Sequence, residues 1–379
     1  MKKLGAFGSD LGAVACFFET PWSRVSPALT EAAQSWLLNE AAYRLRSLGR
    51  LTEALDPMRA GLEMSETWKS AAQSASNLMG LQLTLGEVAG AVADAEQAVI
   101  YADRSADAFL RICLRSTHAE ALHQAGCRAK AEARFCEAEQ MQAERQPANP
   151  LLYSVQGFLY CDLLLTEAER ETGRADGEIE RDELLARCRA VSERATSALQ
   201  IVLNGSHNLL DIALNHLTLG RAALYAAIFE SRRRRRESAQ ASSLPAPPEK
   251  SQRGFTSAAA ELDYAVSGLR RAGMQDYLPH GLLTRAWLRS LTGRATGPDS
   301  ARSDLDEAWE IAERGPMPLF LADIHLYRAR LFHHAKPYPW QSPQRDLAEA
   351  RSLIFKHGYH RRDEELEDAE GSILGNRTA

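Results

Sequence analysis

Residues 68–103 read WKSAAQSASNLMGLQLTLGEVAGAVADAEQAVIYAD, and this stretch decides the fold. On either side of Leu85-Gly86-Glu87 the residues follow helical spacing, over about 68–85 and 87–103. The glycine lets the chain turn sharply between two helices. The same junction recurs at Leu48-Gly49-Arg50 and Ala125-Gly126-Cys127, giving glycine intervals of 37 and 40 residues. An alanine stands five residues after each glycine, at Ala54, Ala91 and Ala131. Self-similarity at this period marks stacked supersecondary units. The expected fold is all-α: a right-handed αα superhelix of about seven helix pairs, whose extended surface makes binding the default role.

Outward from this stretch, helical spacing covers 31–48 and 51–64, with Pro57 inside the second segment, and then 107–125 and 128–145. Pro147 and Pro150 break the pattern. Residues 151–171 carry a broad apolar face, followed by helical segments near 179–203 and 207–231. Five arginines, Arg232 to Arg236, then lead into a Ser/Ala/Pro segment with Pro245, Pro247 and Pro248. Helices are expected again at 254–272, 277–292, 299–314, 319–334 and 343–357. The organisation is thus a partial repeat at 1–24, regular repeats at 25–146 and longer degenerate pairs at 147–236. A disordered insertion at 237–253 precedes C-terminal repeats and a tail at 254–379. No alternating segment is long enough to predict a strand, and no hairpin signal is present.

Composition sets bounds. The 379 residues are 45% apolar and 25% charged, with net charge −5, so nucleic acid is not an expected partner. No uninterrupted apolar run suggests a membrane span. Lys2 and Lys3 precede Leu4–Phe18, but Asp10 and three glycines interrupt that stretch, against a secretory signal. The six cysteines form no CxxC and fall on helical patterns, which reads as buried thiols in a reducing, cytoplasmic compartment.

Leu78, Gly86, Ala91, Ala95 and Ala98 together resemble a tetratricopeptide repeat. Gly126, Ala131, Phe135 and Ala138 repeat the pattern, with His118 in place of a large apolar residue. Gly293, Ala301, Leu305 and Ala308 match after a three-residue insertion. Small residues in the second helix let it approach the first closely. Periods near 40 and the segment Lys356-His357-Gly358-Tyr359-His360-Arg361-Arg362-Asp363-Glu364-Glu365-Leu366 are also similar to the sensor halves of bacterial STAND signalling ATPases. That resemblance implies a signalling role, either as an orphaned sensor fragment or as a stand-alone receptor. The phosphate-cradling GxxxxGK[S/T] loop of those ATPases does not occur.

No sequence pattern predicts an enzyme, a metal or a cofactor. His118, His123 and Cys127 are close in sequence, but Gly126 interrupts their helix and a zinc site needs four ligands. His325, His333 and His334 read as packing or solvent-facing groups, and His357 and His360 as packing and capping groups at a helix end. The arginine run lacks interleaved aromatics and reads as a frayed, solvated helix end. The resemblance to tetratricopeptide proteins implies a groove lined by first helices. It assigns Trp36, Asn39, Tyr43 and Arg46, then Gln73 and Ser76, then Ser116, Glu120 and His123 to partner binding. The expected function is a non-enzymatic scaffold or receptor for a protein or peptide, with a small-molecule sensor as the alternative.

Overall fold

The computed structural model describes residues 6–174, 181–240 and 249–375. Sixteen α-helices account for nearly all of them. They are Phe7–Ala15 (α1), Glu31–Ser47 (α2), Leu51–Glu63 (α3), Trp68–Thr84 (α4), Val88–Ser105 (α5) and Ala108–Gln124 (α6). Next come Arg128–Arg145 (α7), Ser154–Gly173 (α8), Arg181–Asn204 (α9), Leu209–Gln240 (α10) and Glu249–Ala272 (α11). The last are Leu278–Leu291 (α12), Ala301–Arg314 (α13), Pro318–Phe332 (α14), Pro343–His357 (α15) and Asp363–Leu374 (α16), with a 3₁₀ turn at His360–Arg362. From α2 to α15 they pack as seven helix pairs stacked in sequence order. This is the all-α superhelix expected from the glycine period.

Local chemistry explains the regularity. Thr30, Asp107 and Ser342 cap the starts of α2, α6 and α15, and Thr67 and Ser300 form capping boxes with Ser70 and Ser303. At the turns within pairs, Gly49, Gly86, Gly126 and Gly293 have φ of 76°, 77°, 76° and 79°. The residue after each glycine donates its N–H to the carbonyl five positions back, as Arg50 does to Leu45 and Glu87 to Gln82. This is the Schellman closure, and the left-handed φ is what glycine allows without strain. Ala54, Ala91 and Ala131, five residues on, have no exposed surface.

Two local features depart from expectation. Phe18–Thr20 pairs antiparallel with Arg24–Val25 in a small hairpin. Its strands are too short to show alternation, and Trp22, at φ 63°, makes the turn. The second departure is α10, which runs through the arginine cluster instead of fraying near 231. Arg232 is half-buried and donates from Nη1 to the Glu171 carbonyl at 2.9 Å and from Nη2 to the Thr172 carbonyl at 2.8 Å. It thereby caps the end of α8, adding a donor to the Glu171 carbonyl, which also accepts from the Arg174 N–H, and supplying one to the Thr172 carbonyl. Of the insertion expected at 237–253, residues 241–248 lie outside the described residues, while helix extends to Gln240 and resumes at Glu249.

By length and composition Leu209–Arg235 could cross a membrane, although polar residues punctuate it. Most of it is buried among other helices, with Leu214, Leu217, Leu224 and Tyr225 in the main core. That is the burial of a core helix.

The superhelix winds tightly enough for its first repeats to meet its last. Gln275 N–H donates to the Ser47 carbonyl at 3.1 Å, and His357 Nδ1 lies 3.0 Å from the Gly86 carbonyl. Gly126 packs against His360.

Candidate functional site

This closure forms a partly open cavity of about 330 Å³. Among the described residues, every first helix of the seven pairs lines it and no second helix does. α2 contributes Tyr43 and Arg46, α4 Ser76 and Thr84, and α6 Glu120 and Gln124. α8 adds Phe158, Asp162 and Glu169, α10 adds Arg221, and α12 with the residues before it adds Tyr277 and His280. α14 brings Phe320 and Asp323, and the turn after α15 brings Tyr359, Arg361 and Arg362. A second hollow of about 270 Å³ adjoins the first across Tyr43, Val155, Gln156, Leu210 and Met274.

The groove residues expected from sequence divide accordingly. Tyr43, Arg46, Ser76 and Glu120 line the cavity. His123 is buried behind the wall, with Nε2 3.1 Å from Thr166 Oγ1. Asn39 is buried and accepts from Asn77 at 3.1 Å, and Ser116 is buried with its hydroxyl on the Ile112 carbonyl. Trp36, 59% exposed, and Gln73 lie outside the lining. The cavity faces the C-terminal halves of α2, α4 and α6. Ten residues of helix, about 15 Å, separate Trp36 from Arg46.

Part of the cavity wall is an ionic network whose members come from distant parts of the chain. Asp162 accepts from Arg221 and Arg361. Glu169 accepts from Arg221 Nη2 at 3.0 Å and from Arg362 Nη1 at 3.1 Å. Arg362 also donates to Asp323 at 2.8 Å and to Glu365, and the Tyr359 hydroxyl donates to Asp323 at 3.0 Å. Burial opposes ionisation of Glu169, but the guanidiniums of Arg362, Arg221 and Arg361 outweigh it and hold the pKa near about 2. For Asp162 burial is likewise overcome, by Arg361 and Arg221. Glu120 differs: burial first, then the charge of Asp162, push its pKa up to about 7. Burial lowers His280 to about 4.

Asp162, Glu169, Arg221, Asp323 and Arg362 carry no short-range motif. The one visible signal is the charged stretch around Arg361 and Arg362, which enters the cavity wall rather than only capping a helix. Of the other histidines, His325 Nδ1 sits 2.7 Å from Asp346 and His360 Nδ1 2.9 Å from Asp363, while the His333 and His334 rings lie against each other.

The fold and this lining define a tetratricopeptide-like helical-repeat protein with a partly open cavity on its inner face. No family model matches the chain, and no curated protein matches it. Among solved structures, it is similar to one described as a Rap protein complexed with competence and sporulation factor. The TM-score is 0.49 at 11% identity, covering 90% of this chain and 84% of that one. The resemblance to STAND sensor halves is not confirmed by these comparisons.

Proposed function

We propose that this chain is a non-enzymatic receptor that holds a short polypeptide segment inside its superhelix. The observation that carries this reading is the convergence of all seven first helices and the terminal turn on one cavity. Its volume of about 330 Å³ falls in the range of ligand sites, about 300–1,000 Å³. Most charged groups on the wall are committed to one another, which favours binding over acid–base chemistry. A small-molecule sensor is the second reading, favoured by the terminal turn, which adds Tyr359, Arg361 and Arg362 to the cavity wall. Of the six cysteines, expected to be buried, Cys113, Cys161 and Cys188 are, whereas Cys16 and Cys136 are exposed; a reducing, cytoplasmic compartment is proposed from the absence of CxxC pairs in the sequence.

The test is selection from a library of random pentapeptides with the full chain and with Ser76→Phe, which places a ring in the cavity. Recovery of a convergent peptide set by the native chain and its loss in the variant, at unchanged helical content, supports the reading. Equal recovery by both moves the site, and failure to select any peptide rejects the polypeptide ligand.

A further inference from the structure

One corner of the cavity wall gathers hydrogen-bond acceptors without enough donors. On α6, Glu120 accepts from the Gln124 amide nitrogen, yet Glu120 Oε2 and Gln124 Oε1 are buried with no hydrogen-bond partner among the described residues. His123, 2% exposed, adds a third such atom, Nδ1. The Thr166 hydroxyl stands 3.1 Å from His123 Nε2 and 3.2 Å from the Asp162 carbonyl. His123 Nδ1 stands 3.8 Å from Asp162 Oδ2. One ligand atom each from Glu120, His123 and Asp162 lie within 4.8 Å of one another. Buried acceptors left in this state are costly and call for a donor.

Charge points the same way. In the network around this corner, the carboxylates of Asp162, Glu169, Asp323 and Glu365 pair with the guanidiniums of Arg221, Arg361, Arg362 and Arg330. Among the described residues Glu120 has no cationic partner, and its carboxylate accepts only from Gln124. The same cavity also has an aromatic wall. The His280 ring lies 4.6 Å from Phe320 and 5.8 Å from Phe158, and Tyr277 stands 6.4 Å from Phe158. Acceptors beside aromatic faces recognise organic cations. A divalent metal fits less well, because Asp162 already serves two guanidiniums that would face it.

We propose that the corner formed by Glu120, His123, Gln124 and Asp162 binds a protonated amine, with the apolar body of the ligand along Phe158, Tyr277, His280 and Phe320. This rests on reading the cavity as a ligand site and names the chemistry of that ligand. The amine can come from a peptide side chain or from a free amine, and the test separates the two.

The probes are N-acetylated random pentapeptides, phenethylamine and zinc chloride, applied to the full chain, to Glu120→Gln and to Gln124→Met. Glu120→Gln keeps the shape and removes the unmatched charge, and Gln124→Met removes one acceptor should the first variant fold poorly. The expected result is enrichment of Lys or Arg at one peptide position, with affinity falling at least tenfold in a folded variant. Phenethylamine binding with the same tenfold loss, but no selected peptide, keeps the amine site and rejects the peptide reading. Selected peptides without a basic position keep the peptide reading and overturn this inference. Binding of neither probe, affinities equal in native and variant chains, or stabilisation by zinc alone also overturns it.

Discussion

Arg46 in the first repeat and Asp276, 230 residues later, form an ion pair that helps close the superhelix: Nη2 lies 2.9 Å from Oδ2. Asp276 is 4% exposed and its other carboxylate oxygen has no hydrogen-bond partner among the described residues. The guanidinium is thus its main compensation in a buried setting. Burial still holds its pKa above the ordinary carboxylate range, against the pull of Arg46.

Arg46→Ala is therefore expected to destabilise the chain by about 3–5 kcal/mol, because it leaves a buried charge unpaired. Arg46→Ala with Asp276→Ala should cost less than Arg46→Ala alone. Urea unfolding of the two single variants and the double variant measures the coupling. Additive losses would show that the pair does not contribute to closure.

Gly126 and Gly293 have nearly the same backbone, at φ 76° and 79°, but different surroundings. A Cβ at 126 would lie 2.9 Å from His360 Cβ and 3.1 Å from its carbonyl, whereas nothing stands within 4 Å of a Cβ at 293. Both alanine variants bear the left-handed strain of about 1 kcal/mol. Gly126→Ala should lose more, by roughly 1–3 kcal/mol, through overpacking against the terminal turn. Equal losses in thermal unfolding would mean that the turn moves aside freely.

Glu120 and Glu169 give opposite pH dependences. Glu120 has its pKa raised to about 7, so its contribution is present at low pH and is lost as pH rises from its ordinary 4.5 through 7. Glu169, depressed to about 2, contributes above 4.5 and loses that contribution as pH falls toward 2. Glu120→Gln should raise the melting temperature at pH 8, by the equivalent of roughly 1–3 kcal/mol, and flatten the profile between pH 5 and 7. A variant profile parallel to the native one would show that Glu120 is not the group that titrates.

The repeats were legible because their signals are local. A glycine at a left-handed turn, a capping threonine and an alanine at a close helix contact each act within a few residues. Gly49, Gly86 and Gly126 with Ala54, Ala91 and Ala131 therefore identified the pairs directly from sequence. The small hairpin was not legible, since strands as short as Arg24–Val25 carry no alternation. The fate of Arg232 was hidden as well, because the carbonyls it caps lie about 60 residues upstream.

The sequence by itself determined that the chain is a stack of helix pairs, which follows from short-range periodicity and turn chemistry. The first helices as the inner face were implied by the resemblance to tetratricopeptide repeats. Only the tertiary structure decided how tightly the stack winds, and so whether the first and last repeats meet around one cavity. Winding sums small rotations over seven pairs. It brings Arg361 to Asp162, 199 residues away, and Arg46 to Asp276. A charge in a sequence does not announce a partner at that distance. The same closure decided which of the expected groove residues share a cavity, gathering Tyr43, Arg46, Ser76 and Glu120 and leaving Trp36 and Gln73 outside.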